Sequence, residues 1–352
     1  MSDSRTTIEE QPVLKLRVQE NPCWNEKYDE IVAHANRVES QQYEDGDWRK
    51  KLFEDGYVVI KGAIPKEQAQ KHGDGIRDIL TSFGTKLDYN DKSTWKEENY
   101  PDQSHINTYM LHCIPHEKAV WDVRNDKNIK DVFAKLWGTD ELLVSFDAIN
   151  VTFPGSTKAG FWPHADQSPY REGLQCVQGL VSLSDAGPKD GGLVVYKKSN
   201  TLFKKFFEEK VDKNDTEKWR KLDYFSLNDE ELKWFLDNGC EEVKIDCENG
   251  DLVLWDSRTI HFGREPDADS QTVRTVVYAC YTPAAWATEK ELKDKQEAFW
   301  NYRNTTHWPH VNIWSDYAPL KPSGRVEVRK EPLNKCDTTD EGLLKIAGVK
   351  SY

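Results

Sequence analysis

In the stretch Phe161-Trp162-Pro163-His164-Ala165-Asp166-Gln167-Ser168-Pro169 a histidine and an aspartate stand two residues apart, and a further histidine, His261, follows well downstream. Two imidazoles and one carboxylate gathered on one side of a divalent iron leave the opposite positions open, which is the donor set of a facial triad. In extended backbone residues i and i+2 project to the same side, so His164 and Asp166 reach one ion if their segment is a strand; on a helix they diverge. The pair alone is weak, because nine histidines and 61 acidic residues among 352 supply about 1.6 such pairs by chance. His72-Gly73-Asp74 is one of these, set in a stretch that reads as a helix or a helix break. His164 differs in context: it follows a Pro154-Gly155 turn, and Pro163 disfavours helical backbone at Trp162. The ordinary alternative is a hydrogen-bonded core histidine beside Trp162. A third ligand separates the two readings, and His261, at the end of "NGDLVLWDSRTIHFG", is placed to return beside the earlier strands of a barrel. His105, His112 and His116 precede the strand-rich region and His307 and His310 follow it, which marks them as packing or surface residues.

The elements that must position these residues are legible as patterns. Apolar spacing at Trp24, Tyr28, Ile31, Val32 and Ala35 predicts a short helix, residues 57–60 a strand, and Pro65 onward a helix ending at Gly84. Residues 85–103 read as loop, and 118–138 as one helical run. Short β-rich runs follow at 142–153, 174–183, 193–196, 242–246, 251–255 and 273–281, divided by Gly, Pro and Asn turns. Such a succession predicts a mainly β fold with flanking helices, a jelly-roll or double-stranded β-helix core. Residues 200–240 read as a helical insertion between strands, and the region after Pro283 opens on a strong helix. The expected organisation is a single domain: an N-terminal arm and helix over 1–49, the β core over 50–285, and a C-terminal helix with an extended tail over 286–352.

Bulk properties narrow the function. A composition of 37% hydrophobic and 31% charged residues with 13 tryptophans is that of a folded protein. A net charge of −13 argues against nucleic-acid and anionic-membrane binding, both of which need a basic footprint. The first twenty residues lack the charged-then-apolar pattern of a secretory signal, and no apolar run reaches the ~20 residues of a membrane span, so a cytoplasmic protein is expected. Seven cysteines without a C-x-x-C pair signal neither a disulfide framework nor a zinc ribbon.

Taken in order, "FPGSTKAGFWPHADQSP", "KDGGLVVYKKSN", "NGDLVLWDSRTIHFG" and "QTVRTVVYACY" resemble the phytanoyl-CoA dioxygenase family of iron(II)- and 2-oxoglutarate-dependent oxygenases, and "LFEDGYVVIKGAIP" is similar to its opening strand. The resemblance covers roughly residues 50–285, and the tail is similar to that of fungal members. It implies that His164, Asp166 and His261 bind Fe(II), that Arg274 binds the distal carboxylate of 2-oxoglutarate, and that O2 is the oxidant. A guanidinium suits a bidentate grip on a carboxylate, and a lone charge in an apolar strand would otherwise be costly. Members often carry a serine two places after the distal histidine; here it is Gly263, so another hydroxyl must serve or the contact is absent, and Asn150 and Thr259 are read with Arg274 as cosubstrate-binding residues. Lys198-Ser199-Asn200 likewise departs from the family's Gly-Ser-His. Halogenating relatives replace the carboxylate with a small residue, so Asp166 implies hydroxylation, desaturation or ring chemistry. Trp162, Gln167, Tyr170, Gln178 and Trp255 are candidates for a pocket that takes a small-molecule substrate; the oligomeric state is not legible. Two alternatives stay open: a non-catalytic jelly-roll binding protein with a vestigial metal site, and a zinc-dependent hydrolase on a similar barrel.

Overall fold

The computed structural model describes residues 25–313 and 322–352; the arm expected over residues 1–22 lies outside them. Helix α1 (Tyr28–Glu39) and α2 (Trp48–Asp55) lead into strand β1 (Tyr57–Ile60). Asp47 caps α2 by accepting from Arg49 N, and Gly56 ends it at φ +84°. Only glycine fits there, since a Cβ would lie 2.5 Å from Thr259 Oγ1 and 2.8 Å from Asn200 Oδ1. Helix α3 (Lys66–Thr81) starts after Pro65 as expected. The run expected as one helix over 118–138 is two, α4 (Lys118–Arg124) and α5 (Lys127–Trp137). Asp126 interrupts it because its side chain caps the second helix, accepting from Asn128 N and Ile129 N.

Further strands follow as β2 (Thr108–Tyr109), β3 (Leu142–Val144), β4 (Ile149–Thr152), β5 (His164–Ala165), β6 (Val177–Ser182), β7 (Gly192–Lys197), β8 (Phe225–Ser226), β9 (Glu241–Lys244), β10 (Leu252–Asp256), β11 (His261–Arg264), β12 (Arg274–Tyr278) and β13 (Tyr281–Pro283). They form a larger sheet in the order β1-β10-β6-β12-β4-β2 and a smaller one in the order β8-β5-β11-β7-β9, with β13 paired to β3. The pairings are antiparallel, as a jelly roll requires.

Alternation along the strands sorts side chains between two surroundings. Val253, Trp255, Leu180 and Val276 of the larger sheet pack with Leu193 and Val195 of the smaller one, so they fill the space between the sheets. Their neighbours Leu252, Leu254, Val177, Val181 and Val277 pack instead with Ile76 and Ile79 of α3 and Phe133 of α5. The outer face of the smaller sheet, Ala165, Val194, Tyr196 and Phe262, is covered by Phe203, Phe206 and Phe207 of α6 (Ser199–Lys210) and Phe235 of α7 (Asp229–Asp237). The 200–240 insertion is therefore not helical throughout. Between its helices it contributes β8, which pairs His164↔Ser226 and Ala165↔Phe225 and gives the short strand β5 a second neighbour.

The run expected as one strand over 142–153 also divides, into β3 and β4, because residues 145–148 turn away to meet the C-terminal region. Phe146 N donates to Thr305 Oγ1 at 3.1 Å, and Thr305 N returns a bond to Phe146 O at 3.0 Å. Helix α8 (Glu289–Trp300) opens with a Thr288/Glu291 capping box, and the last helix is α9 (Glu341–Ile346). Among the described residues no helix is long and apolar enough to cross a membrane. His116 joins the tail to the body: its Nε2 bonds Arg303 O at 2.9 Å inside a cage of Trp121, Phe146 and Phe299 rings. Burial holds its pKa down to about 3 against an ordinary 6.5, despite the opposing bond to Arg303. The unfolded chain therefore binds the extra proton between these values, and stability falls as pH falls through this window. From pH 7 to pH 5 this one group should remove about 2 kcal/mol. Urea unfolding at both pH values should show that loss in the wild type and a loss smaller by that amount in His116→Gln.

Candidate metal centre

Strand β5 is two residues long, yet its pairing decides the site. His164 lies directly opposite His261 of β11, so neighbouring strands set two imidazoles side by side with ring centroids 4.2 Å apart. Ala165 points the other way, into the aromatic cluster under α6. Asp166 follows on the inner side, its backbone N donating to Ser257 O at 2.9 Å. Its Oδ2 lies 3.5 Å from His164 Nε2 and 3.2 Å from His261 Nε2. One ligand atom from each of the three residues falls within 4.8 Å of the others, and no second cluster of this kind occurs among the described residues.

Both imidazoles are oriented from behind. His164 Nδ1 faces Trp162 O at 3.1 Å and His261 Nδ1 faces Thr259 O at 2.9 Å. A carbonyl can only accept, so each Nδ1 carries the hydrogen and each Nε2 presents a lone pair to the shared space. Gln178 on β6 donates to Asp166 Oδ2 at 2.9 Å, and Trp162 stacks on His164 at 4.4 Å. Without a metal, burial opposes charge on Asp166, but the fields of His164 and His307 in their protonated forms, and the contacts that protonated His164 and His261 make, win and hold its carboxyl well below the usual range; a cation takes the place of those protons at the two Nε2 atoms. Burial, and then His164, push His261 toward its neutral form. Two imidazole nitrogens and a carboxylate oxygen converging on one space are the donors a divalent cation requires, so the residues fit iron. His72-Gly73-Asp74 lies within α3, where His72 is buried and Asp74 engages Gln70 and Arg77.

Arg274 opens β12, buried, opposite Thr152 of β4. Its Nη1 donates to Asn150 Oδ1 at 3.0 Å; Thr152 Oγ1 donates to the same oxygen at 2.9 Å, and Asn150 Nδ2 is tied to Ile106 O. Among the described residues no carboxylate pairs with Arg274, which leaves the rest of its fork for an anionic ligand. A Cβ on Gly263 would meet only Trp162, at 3.8 Å, so space stands where relatives often carry serine. Thr259 does not offer its hydroxyl to a cosubstrate: Oγ1 donates to Gly56 O at 2.9 Å. Its contribution is the carbonyl that orients His261.

Of the expected pocket residues, Trp162 and Gln178 touch the ligands and Trp255 lies 5.5 Å from the His261 ring. Gln167 is buried, with Nε2 bonded to Gly173 O. Tyr170 is 45% exposed and packs edge-on against Trp219. The reason is the turn closed by Arg171 N to Ser168 O, which sends Arg171 inward instead. Arg171 grips Asp223 with Nε at 2.7 Å and Nη2 at 2.9 Å and lies over the Trp308 ring. Asp223 also accepts from Ser168 N and Asn312 Nδ2. Metal loop, insertion and tail are thus joined by one buried network that the sequence reading missed, because its partners lie more than fifty residues apart.

A family model described as phytanoyl-CoA dioxygenase (PhyH) matches residues 52–267. The chain belongs to that family. Ava biosynthesis cluster protein O of Aspergillus versicolor is 38% identical over 269 residues, 75% of this chain and 86% of that protein. Two of the solved structures that match illustrate the shared fold. GIG2 from Candida albicans does so with a TM-score of 0.59 at 14% identity, over 94% of this chain and 88% of its own. Iron-bound EctD from S. alaskensis does so with a TM-score of 0.50 at 15% identity, over 71% and 82%. The protein is accordingly an oxidoreductase of the iron(II)- and 2-oxoglutarate-dependent type, and the triad provides the place for its metal. Within this dioxygenase Gln178 should matter for the metal alone. Gln178→Leu is expected to weaken Fe(II) binding ~10–100-fold, measured by anaerobic titration, with little change in Tm.

Proposed function

We propose that the protein oxidises an unactivated C–H bond of a small organic metabolite, most simply to C–OH, while 2-oxoglutarate and O2 are consumed and succinate and CO2 released. One oxygen atom enters the product and the other the succinate, so the reaction balances without a further reductant. The observation that carries this reading is an intact His164/Asp166/His261 triad together with a buried Arg274 that pairs with no carboxylate among the described residues. Iron supplies the activation of dioxygen when bound. His164, Asp166 and His261 would hold it on one side of the site; Trp162 and Trp255 help to exclude water. Arg274, braced by Asn150 and Thr152, grips the distal carboxylate of 2-oxoglutarate. Asp166 favours oxygen transfer over halogenation, since its carboxylate occupies the place a halide would need. A relative named for a biosynthesis cluster supports a small organic substrate.

Mixing the protein anaerobically with Fe(II) and 2-oxoglutarate should give a weak visible charge-transfer band, lost in His164→Ala and in His261→Ala and never produced by zinc. Absence of both the band and succinate release in the wild type would sink the reading and favour a hydrolase or a binding protein. Arg274→Ala removes a charge-assisted bond of ~1.5–3 kcal/mol. It should therefore raise KM for 2-oxoglutarate ~10–100-fold and leave Fe(II) affinity nearly unchanged.

A further inference from the structure

Trp162 holds a hydrogen-bond donor that the fold does not use. Its Nε1 is shielded from solvent and finds no acceptor among the described residues. An indole N–H can only donate, and a buried donor without an acceptor is a cost that folded proteins rarely leave standing. The ring itself is held. It stacks on His164 with centroids 4.4 Å apart and planes 12° from parallel, and Trp162 O accepts from Nδ1 of the same histidine at 3.1 Å. The direction of the N–H is therefore set before any ligand enters.

Gly263 shows where that N–H lies. Two residues back from His164 and two on from His261, the antiparallel register of that pair sets Trp162 beside Gly263 on the face that carries the triad. The contact agrees: a Cβ on Gly263 would meet Trp162 Cζ2 at 3.8 Å. Cζ2 and Nε1 are attached to the same ring carbon, so the unpaired N–H borders the space that the absent side chain leaves open. Arg274 belongs to the same end of the core. Gly191 marks the junction, since a Cβ there would lie 3.2 Å from the carbonyl oxygen of Arg264, the residue after Gly263, and 3.2 Å from Thr152 Cγ2. Thr152 stands directly opposite Arg274. Two donors, one charged and one neutral, thus border one end of the space between the sheets, and neither meets a carboxylate among the described residues. A ligand carboxylate, with two oxygens and several lone pairs, can accept from both at once.

We propose that the indole N–H of Trp162 donates to the distal carboxylate of 2-oxoglutarate, sharing that group with Arg274 and filling from the His164 strand the place that has no side chain at position 263. This rests on the oxygenase reading of the same site and deepens it by naming a further cosubstrate-binding residue. Arg274 supplies charge, and Trp162 supplies direction. One ring then serves both partners of the reaction, its face against a metal ligand and its edge against the cosubstrate.

The test uses the full chain loaded with Mn(II) and two probes read by ligand-observed NMR. N-oxalylglycine keeps both carboxylates of 2-oxoglutarate and does not turn over; N-ethyloxamate is the same molecule with a methyl group in place of the distal carboxylate. Trp162→Phe leaves an aromatic ring beside His164 and removes the N–H. It should weaken N-oxalylglycine binding about tenfold, as expected for one charge-assisted hydrogen bond, and leave Mn(II) and N-ethyloxamate affinities level. Adding Gly263→Ser to Trp162→Phe should recover part of the loss, because a hydroxyl there reaches the same space. In Zn(II)-loaded wild type, isotope-labelled at its indole nitrogens, one of the 13 indole signals should move downfield with N-oxalylglycine but not with N-ethyloxamate, and Trp162→Phe should lack that signal. Equal N-oxalylglycine affinity in wild type and Trp162→Phe, or an equal loss for both probes, would overturn the proposal. If Trp162→Phe does not fold, the wild-type spectrum decides: the shifted signal must persist in Trp255→Phe, and a spectrum in which no indole answers to the distal carboxylate refutes the bond. A wild type that binds neither probe and releases no succinate would remove the oxygenase reading and the proposal with it. N-oxalylglycine binding that is lost in Arg274→Ala and kept in Trp162→Phe would remove the proposal alone.

Discussion

The pairing of His164 with His261 across β5 and β11 is the constraint on which the remainder of the site depends. A cross-strand pair brings two rings together at little conformational cost, but only if the register is kept, because a slip of one residue would send His164 outward and Ala165 inward. Two residues of strand cannot hold a register unaided. The burden passes to side chains on either side: Ala165 in the aromatic cluster beneath α6 and α7, β8 along the other edge, and the Asp166 backbone on Ser257. The insertion that looks like an interruption of the jelly roll is what keeps its metal motif in place.

A polar interior of this kind needs apolar packing elsewhere. Between the sheets Asp166, Arg274 and Gln178 stand among Trp255, Leu180 and Val195, and each buried polar group costs stability unless it is satisfied. Gln178 and Asn150 answer two of these costs with direct hydrogen bonds. The larger contribution comes from the outer faces, where α3 to α5 cover one sheet and α6 and α7 the other. At ~25 cal/mol per Å² of apolar surface buried, those two helical layers let the space between the sheets serve ligands at the expense of ideal packing.

How much of this was legible in the sequence depended on the range of the interaction. The metal ligands were readable because strand periodicity is local and a Pro-Gly turn and Pro163 mark extended backbone; the Arg274 strand was readable for the same reason. The break at Asn125-Asp126 was missed because a capping aspartate inside a continuous apolar period does not alter that period. That Arg171 and not Tyr170 turns inward was not legible, because a single turn hydrogen bond decides between two neighbouring side chains. Thr259 carried the right residue type for a hydroxyl contact, but Gly56, two hundred residues earlier in the chain, took that hydroxyl.

The tail changes how the site should be divided. Residues matched by the family model, 52–267, include all three metal ligands but end before Arg274 and before the segment around His307. The matched portion brings the triad together, while the β3–β4 bend, the insertion and the tail pack around it. Arg171, Asp223 and Asn312 tie the insertion and the tail to the loop that follows Asp166. A change in any of them is therefore felt within a few bonds of the iron ligands. Breaking a buried charge pair leaves an uncompensated charge, which the pair's own intact energy does not reveal. Tail packing and the metal loop are for that reason coupled: a substitution that opens the Arg171–Asp223 pair disturbs both.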